Sequence, residues 1–413
     1  MIFRTIRWQY RRTRIAMFVR FLALAAGMIG SAEICSYVAL SFSANFFEEP
    51  IWRTSTIYSD QSCRIRSLLA NANQSWMIVD PVLGWRLRPG YDRDGTRING
   101  QGLRAMRVYS PRPRAGTLRV AAFGDSTVFG SEVRNNQSWT HFAQAAEPSI
   151  EVLNFGVPGF GTDQALIRYE SEGNALNSHV VIMGFTPVDM RRNVNVYRRF
   201  IHVEESPAAK PRFRISGDGS LAKIPPPVRS LDQWRTVLKE PAIVRNWGAD
   251  DYFYEAIIYD NPLYDWSAIV RLVSSLWVRT KRLFLYDNRV QIGGEFNPNS
   301  EAFKIQVRIL RRFVAHARAN NHVPLLAMLP LRHDLEAHIA GEPTRVASLS
   351  RAVDHMLAVL DPTRELAAAA AKYGFRALFA PGGHYSELGN KVIGEWLVGE
   401  LMHRKLMDNS NSK

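Results

Sequence analysis

Residues 118–402 alternate between short continuous apolar runs and longer stretches with helical periodicity. The apolar runs predict β-strands at Leu118–Phe123, Ile150–Phe155, His179–Gly184, Val323–Leu329 and Phe375–Phe379. The helical stretches are Gln137–Glu147, Thr162–Gly173, Ser300–Asn320, segments near 343–359 and 363–373, and Ser386–Leu401. Strands that alternate with helices at this spacing indicate an α/β fold, with a parallel sheet between helices.

A long apolar segment lies near the amino terminus. From Ile15 to Leu40 its only charged residues are Arg20 and Glu33. Glu33 lies near the far end of the segment, and a charged side chain within a membrane is costly. The 20 residues from Phe21 to Leu40 would extend about 30 Å as a helix, which is the thickness of the hydrocarbon core of a bilayer. The segment therefore predicts a single membrane-spanning anchor.

Arginines predict the orientation of this anchor. Five of them precede Ile15, so the positive-inside rule places the start of the chain in the cytoplasm and the main domain in the periplasm. A second interpretation is a cleaved signal peptide, with an apolar core at Phe21–Ser31 and a small-residue site at Gly30-Ser31-Ala32. A third is a buried amphipathic helix of a soluble protein. In the first two interpretations the main domain lies outside the cytoplasm.

The composition of the 413 residues narrows the functional class. Apolar residues make up 46% of the chain and charged residues 22%, which excludes a disordered chain and a multi-span membrane protein. The two cysteines exclude a disulfide-built scaffold. Six of the 14 excess positive charges lie in the first 20 residues and the others form no basic stripe, so nucleic acid is not an expected partner. No nucleotide-binding or metal-binding motif is present, and no cofactor or metal is expected.

The pattern also predicts how the chain is organised. Residues 1–44 would form the basic start and the anchor, 45–116 an irregular or β-rich lead-in, and 117–402 the α/β domain. A long insertion, 190–299, lies between the third and fourth strands of that domain. Insertions of this length are often lids or substrate platforms. A polar tail, 403–413, follows.

Two residues at strand-to-helix junctions are candidates for catalysis. Ser126 follows the first strand in the turn Gly124-Asp125-Ser126-Thr127, at the carboxyl end of the sheet, where open α/β sheets bind their ligands. His384 follows two glycines at the start of the last helix, in a loop that suits a general base. A serine hydroxyl becomes a nucleophile when a neutral imidazole accepts its proton.

These two residues belong to a wider resemblance. An early serine, a late histidine and the glycine-rich loop Gly156–Gly161 between them resemble the SGNH/GDSL hydrolase family over residues 118–402, without the insertion. Parts of the lead-in, among them Asp80–Gly84, are similar to the same region of membrane-linked bacterial members.

The resemblance implies a fold and a set of roles. The family fold is a flavodoxin-like sheet of parallel strands between helices. In that family the serine of the Gly-Asp-Ser block is the nucleophile, which corresponds to Ser126, and the late histidine is the base, which corresponds to His384. The oxyanion would be held by the backbone N–H groups of Ser126 and Gly159.

One departure from the family pattern concerns the oxyanion. Val188 stands where the third family block has an asparagine that donates to the oxyanion. Loss of one such donor typically lowers the rate about 10²- to 10³-fold. Thr186 or Asn193 could replace it only if the loop is rearranged.

A second departure concerns the base. Pro381 stands where the family has an aspartate that orients the histidine. His384 would then act in a dyad or borrow a carboxylate from elsewhere, such as Asp361 or Glu387.

Two functional hypotheses follow. The first is a membrane-tethered serine esterase or O-acyltransferase outside the cytoplasm, with an acylated glycan of the envelope or a small ester as substrate. The second is a catalytically degraded SGNH domain that binds a glycan or a partner protein, and it is motivated by Val188 and Pro381.

Overall fold

The computed structural model describes residues 2–46, 57–201, 206–264, 266–281, 290–404 and 406, and it describes side chains from residue 14 to 42 and, within those ranges, from residue 61 onward. Most of the predicted polar tail, residues 405 and 407–413, lies outside the described residues. The chain divides into two compact units. The smaller unit comprises 1–63 and 254–286, and the larger one comprises 64–253 and 287–413.

The described helices and strands have the following bounds. The helices are α1 (Ile2–Phe46), α2 (Ile57–Ala70), α3 (Ser126–Phe129), α4 (Trp139–Ala146), α5 (Thr162–Glu172), α6 (Asp189–Arg192), α7 (Leu231–Lys239), α8 (Ala256–Tyr259), α9 (Ala268–Thr280), α10 (Glu301–Ala319), α11 (Arg332–Ile339), α12 (Ala347–Val353), α13 (Thr363–Tyr373) and α14 (Glu387–His403). The strands are β1 (Met77–Asp80), β2 (Gly84–Leu87), β3 (Asp92–Arg93), β4 (Thr96–Arg97), β5 (Leu118–Phe123), β6 (Ile150–Asn154), β7 (Val180–Phe185), β8 (Arg212–Ile215), β9 (Leu221–Ile224), β10 (Gln291–Ile292), β11 (Glu295–Phe296), β12 (Val323–Met328) and β13 (Ala358–Leu360).

A parallel sheet forms the centre of the larger unit. Its five strands lie in the order β13-β12-β7-β5-β6, and every neighbouring pair is parallel. This is the strand order of flavodoxin-like folds, in which the chain reverses its direction of winding after the second strand. The predicted fold class is therefore confirmed. The first four predicted strands coincide with β5, β6, β7 and β12 to within a residue or two.

Helices cover both faces of this sheet. On one face α4 and α14 pack against each other, and their apolar side chains join a core with Val120, Val152 and Ile182. On the other face Phe123 meets Tyr169 of α5, and Tyr169 meets Phe313 of α10. All six residues of β5 and of β7 are buried, as expected for strands that are covered on both faces.

The fifth strand lies elsewhere than predicted. It is β13, which begins at the end of the segment near 343–359 that was expected to be helical, whereas Phe375–Leu378 forms a 3₁₀ turn. β13 has only three residues and lies at the edge of the sheet. Its apolar run is too short to be distinguished in sequence from the apolar positions of the preceding helix α12. The aromatic side chains of Phe375 and Phe379 pack against the core from a turn, and this gave the segment the composition of a strand.

The smaller unit contains α1, α8 and α9. Among the described residues, α1 is the helix that is long and apolar enough to cross a membrane, over Arg14–Phe42 with a mean hydropathy of 1.8. This is the segment that was predicted as an anchor. A signal sequence near the amino terminus would have the same length and composition. α9 packs against α1.

Candidate active site

Ser126 lies where β5 passes into α3. Asp125 caps this short helix, because its Oδ1 accepts a hydrogen bond from the Thr127 N–H at 2.8 Å. The other carboxylate oxygen accepts from Thr186 Oγ1 at 2.8 Å and from Arg192 Nη1 at 2.9 Å. Asp125 is thus fully engaged in holding the turn. Ser126 itself is 8% exposed and lies just beyond the carboxyl end of β5, a strand with neighbours on both sides.

His384 is paired with Glu132, which lies six residues after Ser126. The Glu132 Oε2 atom is 2.6 Å from His384 Nδ1 and 3.1 Å from the His384 backbone nitrogen. Its Oε1 accepts from the Gly382 N–H at 2.6 Å. One carboxylate therefore holds both the ring and the backbone of the histidine loop, and it leaves Nε2 as the ring nitrogen that can exchange a proton.

The surroundings of Glu132 keep it charged. Burial raises its pKa, but the hydrogen bonds from the His384 ring, the His384 N–H and the Gly382 N–H outweigh burial and hold the pKa below its ordinary value. Glu132 also has a backbone φ of 67°, which residues other than glycine rarely adopt. Strained conformations of this kind are often kept where a side chain must point in a particular direction.

Glu132 supplies the carboxylate that was expected from Asp361 or Glu387. Asp361 instead accepts from the Thr363 N–H at 3.0 Å at the start of α13. Glu387 accepts from Gln137 Nε2 at 2.7 Å. The two suggestions were wrong because they placed the acid close to His384 in sequence. The actual partner is separated from it by 252 residues and approaches from the loop after α3.

Arg104 of the lead-in holds the loop that carries Glu132. Its guanidinium donates to the carbonyl oxygens of Phe129, Gly130 and Val133 and lies 4.3 Å from the centre of the Phe129 ring. Burial lowers the pKa of Arg104 to about 10, so the side chain stays charged at neutral pH. The lead-in thus fixes the backbone on both sides of Glu132.

Gly159 lies in the loop after β6, with a φ of 81° that favours glycine. A Cβ atom at this position would lie 3.3 Å from Cζ2 of Trp85. Trp85 comes from the β1–β2 hairpin, donates from Nε1 to the Pro158 carbonyl at 3.0 Å and stacks edge-on against Phe160. The lead-in therefore also supports the loop that would hold the oxyanion.

In the loop after β7, the side chains of Thr186 and Asn193 do not replace the oxyanion donor for which Val188 stands in this chain. The hydroxyl proton of Thr186 goes to Asp125, and the side chain is fully buried. The amide of Asn193 donates to Gln306 Oε1 at 2.5 Å and accepts from the Asp163 N–H. Val188 is half-buried at the start of α6. The backbone N–H groups of Ser126 and Gly159 remain the candidate oxyanion donors.

The strand order and these loops at the carboxyl edge of the sheet agree with the family that the sequence resembles. The five-stranded parallel sheet between helices fits the SGNH hydrolase fold. Solved structures similar to the chain carry names from the same family. A scan of protein-family models finds no match, and a search of curated proteins finds none either.

Three solved structures illustrate the similarity. A structure described as a lipolytic protein of the G-D-S-L family, from Desulfitobacterium hafniense, is 18% identical with a TM-score of 0.33, and the match covers 68% of this chain and 99% of that one. A member of the lipolytic G-D-S-L family from Veillonella parvula is 11% identical with a TM-score of 0.34, covering 69% and 98%. A two-domain esterase active on acetylated mannans is 9% identical with a TM-score of 0.32, covering 72% and 50%. At these values the similarities carry no argument of their own, and both the fold and the candidate site stand on the geometry of this chain.

The segment from Ser126 to Glu132 connects the two candidate catalytic residues. Ser126 begins it, and Glu132 ends it against His384. In the described part of the chain no hydrogen bond joins Ser126 to His384. Sequence reasoning missed Glu132, Arg104 and Trp85 as parts of the site. In the sequence, Glu132 stands out only as the first acidic residue after Ser126. The structure is needed to show that it contacts the loop of His384.

Replacing Arg104 by methionine is expected to lower the free energy of unfolding by about 2–4 kcal/mol, since it leaves buried carbonyl groups without a donor. Arg107→Met is the matched control, because Arg107 is exposed and its partner Glu151 keeps a second ion pair with Arg119, so we expect a loss of about 1 kcal/mol or less. Urea unfolding of both variants measures the difference. Equal losses in the two would show that Arg104 does not hold the Glu132 loop.

Gly159→Ala is expected to slow reaction at Ser126 by about tenfold or more, because the added methyl group meets Trp85 and the backbone must leave its left-handed conformation. The control is Gly399→Ala in α14, where a Cβ atom meets nothing within 4 Å. The rate of covalent labelling by a fluorophosphonate measures both. An unchanged rate in Gly159→Ala would remove this loop from the oxyanion site.

Proposed function

We propose that the protein is a serine esterase of the SGNH type, anchored in the cytoplasmic membrane with its main domain outside the cytoplasm. The hydrogen bond of 2.6 Å between Glu132 and His384 carries this proposal. Glu132 would act as the orienting carboxylate that the histidine loop lacks in sequence, and it follows Ser126 by only six residues, which supports a site made of a serine, a histidine and an acid.

The proposed reaction proceeds through an acyl-enzyme. Ser126 Oγ attacks the ester carbonyl carbon while His384 Nε2 takes the hydroxyl proton, and Glu132 stabilises the resulting imidazolium. The N–H groups of Ser126 and Gly159 hold the oxyanion. His384 then gives the proton to the leaving alcohol. Water, or a sugar hydroxyl in an acyltransferase, then attacks the acyl carbonyl carbon while His384 takes its proton. His384 returns this proton to Ser126 Oγ as the bond between the acyl group and the serine breaks, and the carboxylic acid or the new ester leaves.

The proposed substrate is an O-acyl ester on an envelope polysaccharide, which is the class that the sequence resemblance implies. The location is supported by α1, which is long enough to span the membrane, and by the arginines that precede the apolar segment. A protein tethered there would act on polymer that passes close to the outer face of the membrane.

A second candidate is a binding domain that has lost catalysis. The observation in its favour is the third family block, where Val188 offers no donor and the side chains of Thr186 and Asn193 are already engaged. Such a domain would bind acylated glycan without turning it over.

Hydrolysis of a small acetyl ester and of an acetylated polysaccharide by the full chain in detergent separates these candidates. Esterase activity is expected to disappear in Ser126→Ala and to persist in Ser171→Ala, whose side chain only bonds to the carbonyls of its own helix. Turnover that survives in Ser126→Ala would refute the mechanism. Saturable glycan binding without turnover in the wild type would favour the binding domain.

A further inference from the structure

α9, in the smaller unit, has the reverse of the polarity expected for a helix on a water-soluble protein. Its exposed side chains include three large apolar ones, since Val273 is 58% exposed, Trp277 51% and Leu276 45%, and its exposed polar residues, Arg279 and Thr280, lie at its carboxyl end. Its buried positions include Arg271 and the small polar residues Ser274 and Ser275. Soluble helices bury the apolar side and expose the polar one. Small residues against another helix and apolar residues outside are typical of helices in lipid.

The turn before α9 extends this apolar surface. Trp266 is 88% exposed and Leu263 is 59% exposed, which is unusual for such large apolar side chains. Tryptophan is enriched where proteins meet the boundary between lipid and water. The exposed residues of the turn and of α9 are called the α9 apolar surface below: Leu263, Trp266, Val273, Leu276 and Trp277.

Glu33, the acidic residue in the apolar segment of α1, contacts the start of α9 and so fixes the position of α9 along α1. Glu33 accepts hydrogen bonds from the Ser267 hydroxyl, from the Ala268 N–H at 2.7 Å and from the Ile269 N–H at 3.4 Å. Its carboxylate thereby caps the amino terminus of α9, where a negative charge is stabilised by the helix dipole. The Glu33 carboxylate, which would be costly to place alone in the candidate span, therefore has its hydrogen-bond partners at the start of α9. The start of α9 must lie at the same depth as Glu33.

This depth can be placed along α1. Glu33 follows Arg14, the first residue of the candidate span, by 19 residues, or about 28 Å of helix. It follows Phe21 by 12 residues, or about 18 Å. With a hydrocarbon core about 30 Å thick, both choices of the inner boundary place Glu33 in the outer half of the bilayer.

We propose that α9 and the turn before it are embedded in the outer leaflet beside α1, with the α9 apolar surface in contact with lipid acyl chains. This inference rests on the membrane anchor of the proposed function. The second attachment would hold the protein to the membrane at two points, one being α1 and the other a part of the insertion.

Site-directed spin labelling of the full chain tests this inference. The background carries Cys35→Ser and Cys63→Ser, since both native cysteines are exposed. Single labels are placed by Val273→Cys, by Leu24→Cys in the candidate span and by Ala222→Cys on exposed β9 of the larger unit. The protein is reconstituted in vesicles of phosphatidylethanolamine and phosphatidylglycerol. Collision rates are measured with oxygen, which concentrates in lipid, and with a water-soluble nickel chelate.

The expected result is that the label at Val273 resembles the one at Leu24, with high oxygen and low nickel access, and differs from Ala222. If Leu24 reports lipid while Val273 reports water, the inference is overturned and the anchor stands. If both report water, the anchor fails together with the inference. A label at Val273 that is shielded from both reagents would indicate a protein neighbour in place of lipid, and this too would overturn the inference.

Discussion

Replacing Glu132 by glutamine is expected to lower kcat/KM for ester hydrolysis by about 10³- to 10⁴-fold while leaving the fold intact. The glutamine retains the size of the side chain, but it cannot stabilise the imidazolium that forms when His384 takes the serine proton, and it can hold the wrong ring tautomer. Ester hydrolysis by the purified variant, with circular dichroism as the check on folding, measures this effect.

Glu387→Gln is the matched control for this prediction. Glu387 lies three residues after His384, but it bonds to Gln137 and has no contact with the imidazole among the described hydrogen bonds. We expect its activity to stay within about twofold of the wild type, as for a surface substitution. A comparable loss in both variants, or none in Glu132→Gln, would mean that Glu132 does not orient the base.

The pH dependence of the wild type should reflect the charge of Glu132. Because its pKa is held below the ordinary value of 4.5, the carboxylate remains ionised as the pH falls through that value. The hydrogen bonds of Glu132 contribute stability that is present above the unfolded pKa and is lost only as the pH falls through the lower, folded pKa. In Glu132→Gln this contribution to acid stability should be absent.

The second large effect is expected from Lys210→Met, which should reduce the free energy of unfolding by about 3–5 kcal/mol. Lys210 lies just before β8, is fully buried, and its Nζ lies 2.5 Å from Oδ2 of Asp163 in the first turn of α5. It also donates to the carbonyls of Arg192, Asn195 and Pro211. Without Lys210, Asp163 would be a buried charge without its main partner, next to the loop of Gly159.

Burial raises the pKa of Asp163, and the positive charge of Lys210 opposes that rise. In Lys210→Met the pKa of Asp163 rises further, so the folded state favours its neutral form. The loss of stability should therefore be greatest at neutral pH and should shrink as the pH falls below the raised pKa of Asp163. Urea unfolding at several pH values follows this change.

Two comparisons make the Lys210 test specific. Arg235→Met breaks a pair of the same length, 2.5 Å to Asp232, but both partners are exposed, so we expect a change of about 1 kcal/mol or less. The double variant Lys210→Met/Asp163→Asn removes both charges and should recover part of the stability. Equal effects of Lys210→Met and Arg235→Met would contradict the structural role of the buried pair.

The fold could be predicted from sequence wherever an apolar run was long and fully buried. β5 and β7 are such runs, and their bounds agree with the prediction to within one residue. α10 was also predicted well, because Ser300 caps it and its apolar positions recur at helical spacing. β13 was missed because a strand of three residues at the edge of a sheet has too short a pattern to distinguish it from the end of a helix.

The candidate site was only partly within reach of the sequence. Ser126 and His384 stand in short local motifs, and their roles remain predictions. Glu132 has no motif of its own, and its function depends on a contact between loops far apart in the chain. The same holds for Glu33, which appeared only as a charge in an apolar segment until the structure placed it at the start of α9.

Covalent labelling of the full chain by a fluorophosphonate tests the central claim most directly, because only an activated serine reacts. The proposed site predicts one labelled residue, Ser126, with labelling that disappears in Ser126→Ala and in His384→Ala and is strongly slowed in Glu132→Gln. Absence of labelling in the folded wild-type protein, or labelling that persists in Ser126→Ala, would contradict the proposal that Ser126, His384 and Glu132 form a catalytic site.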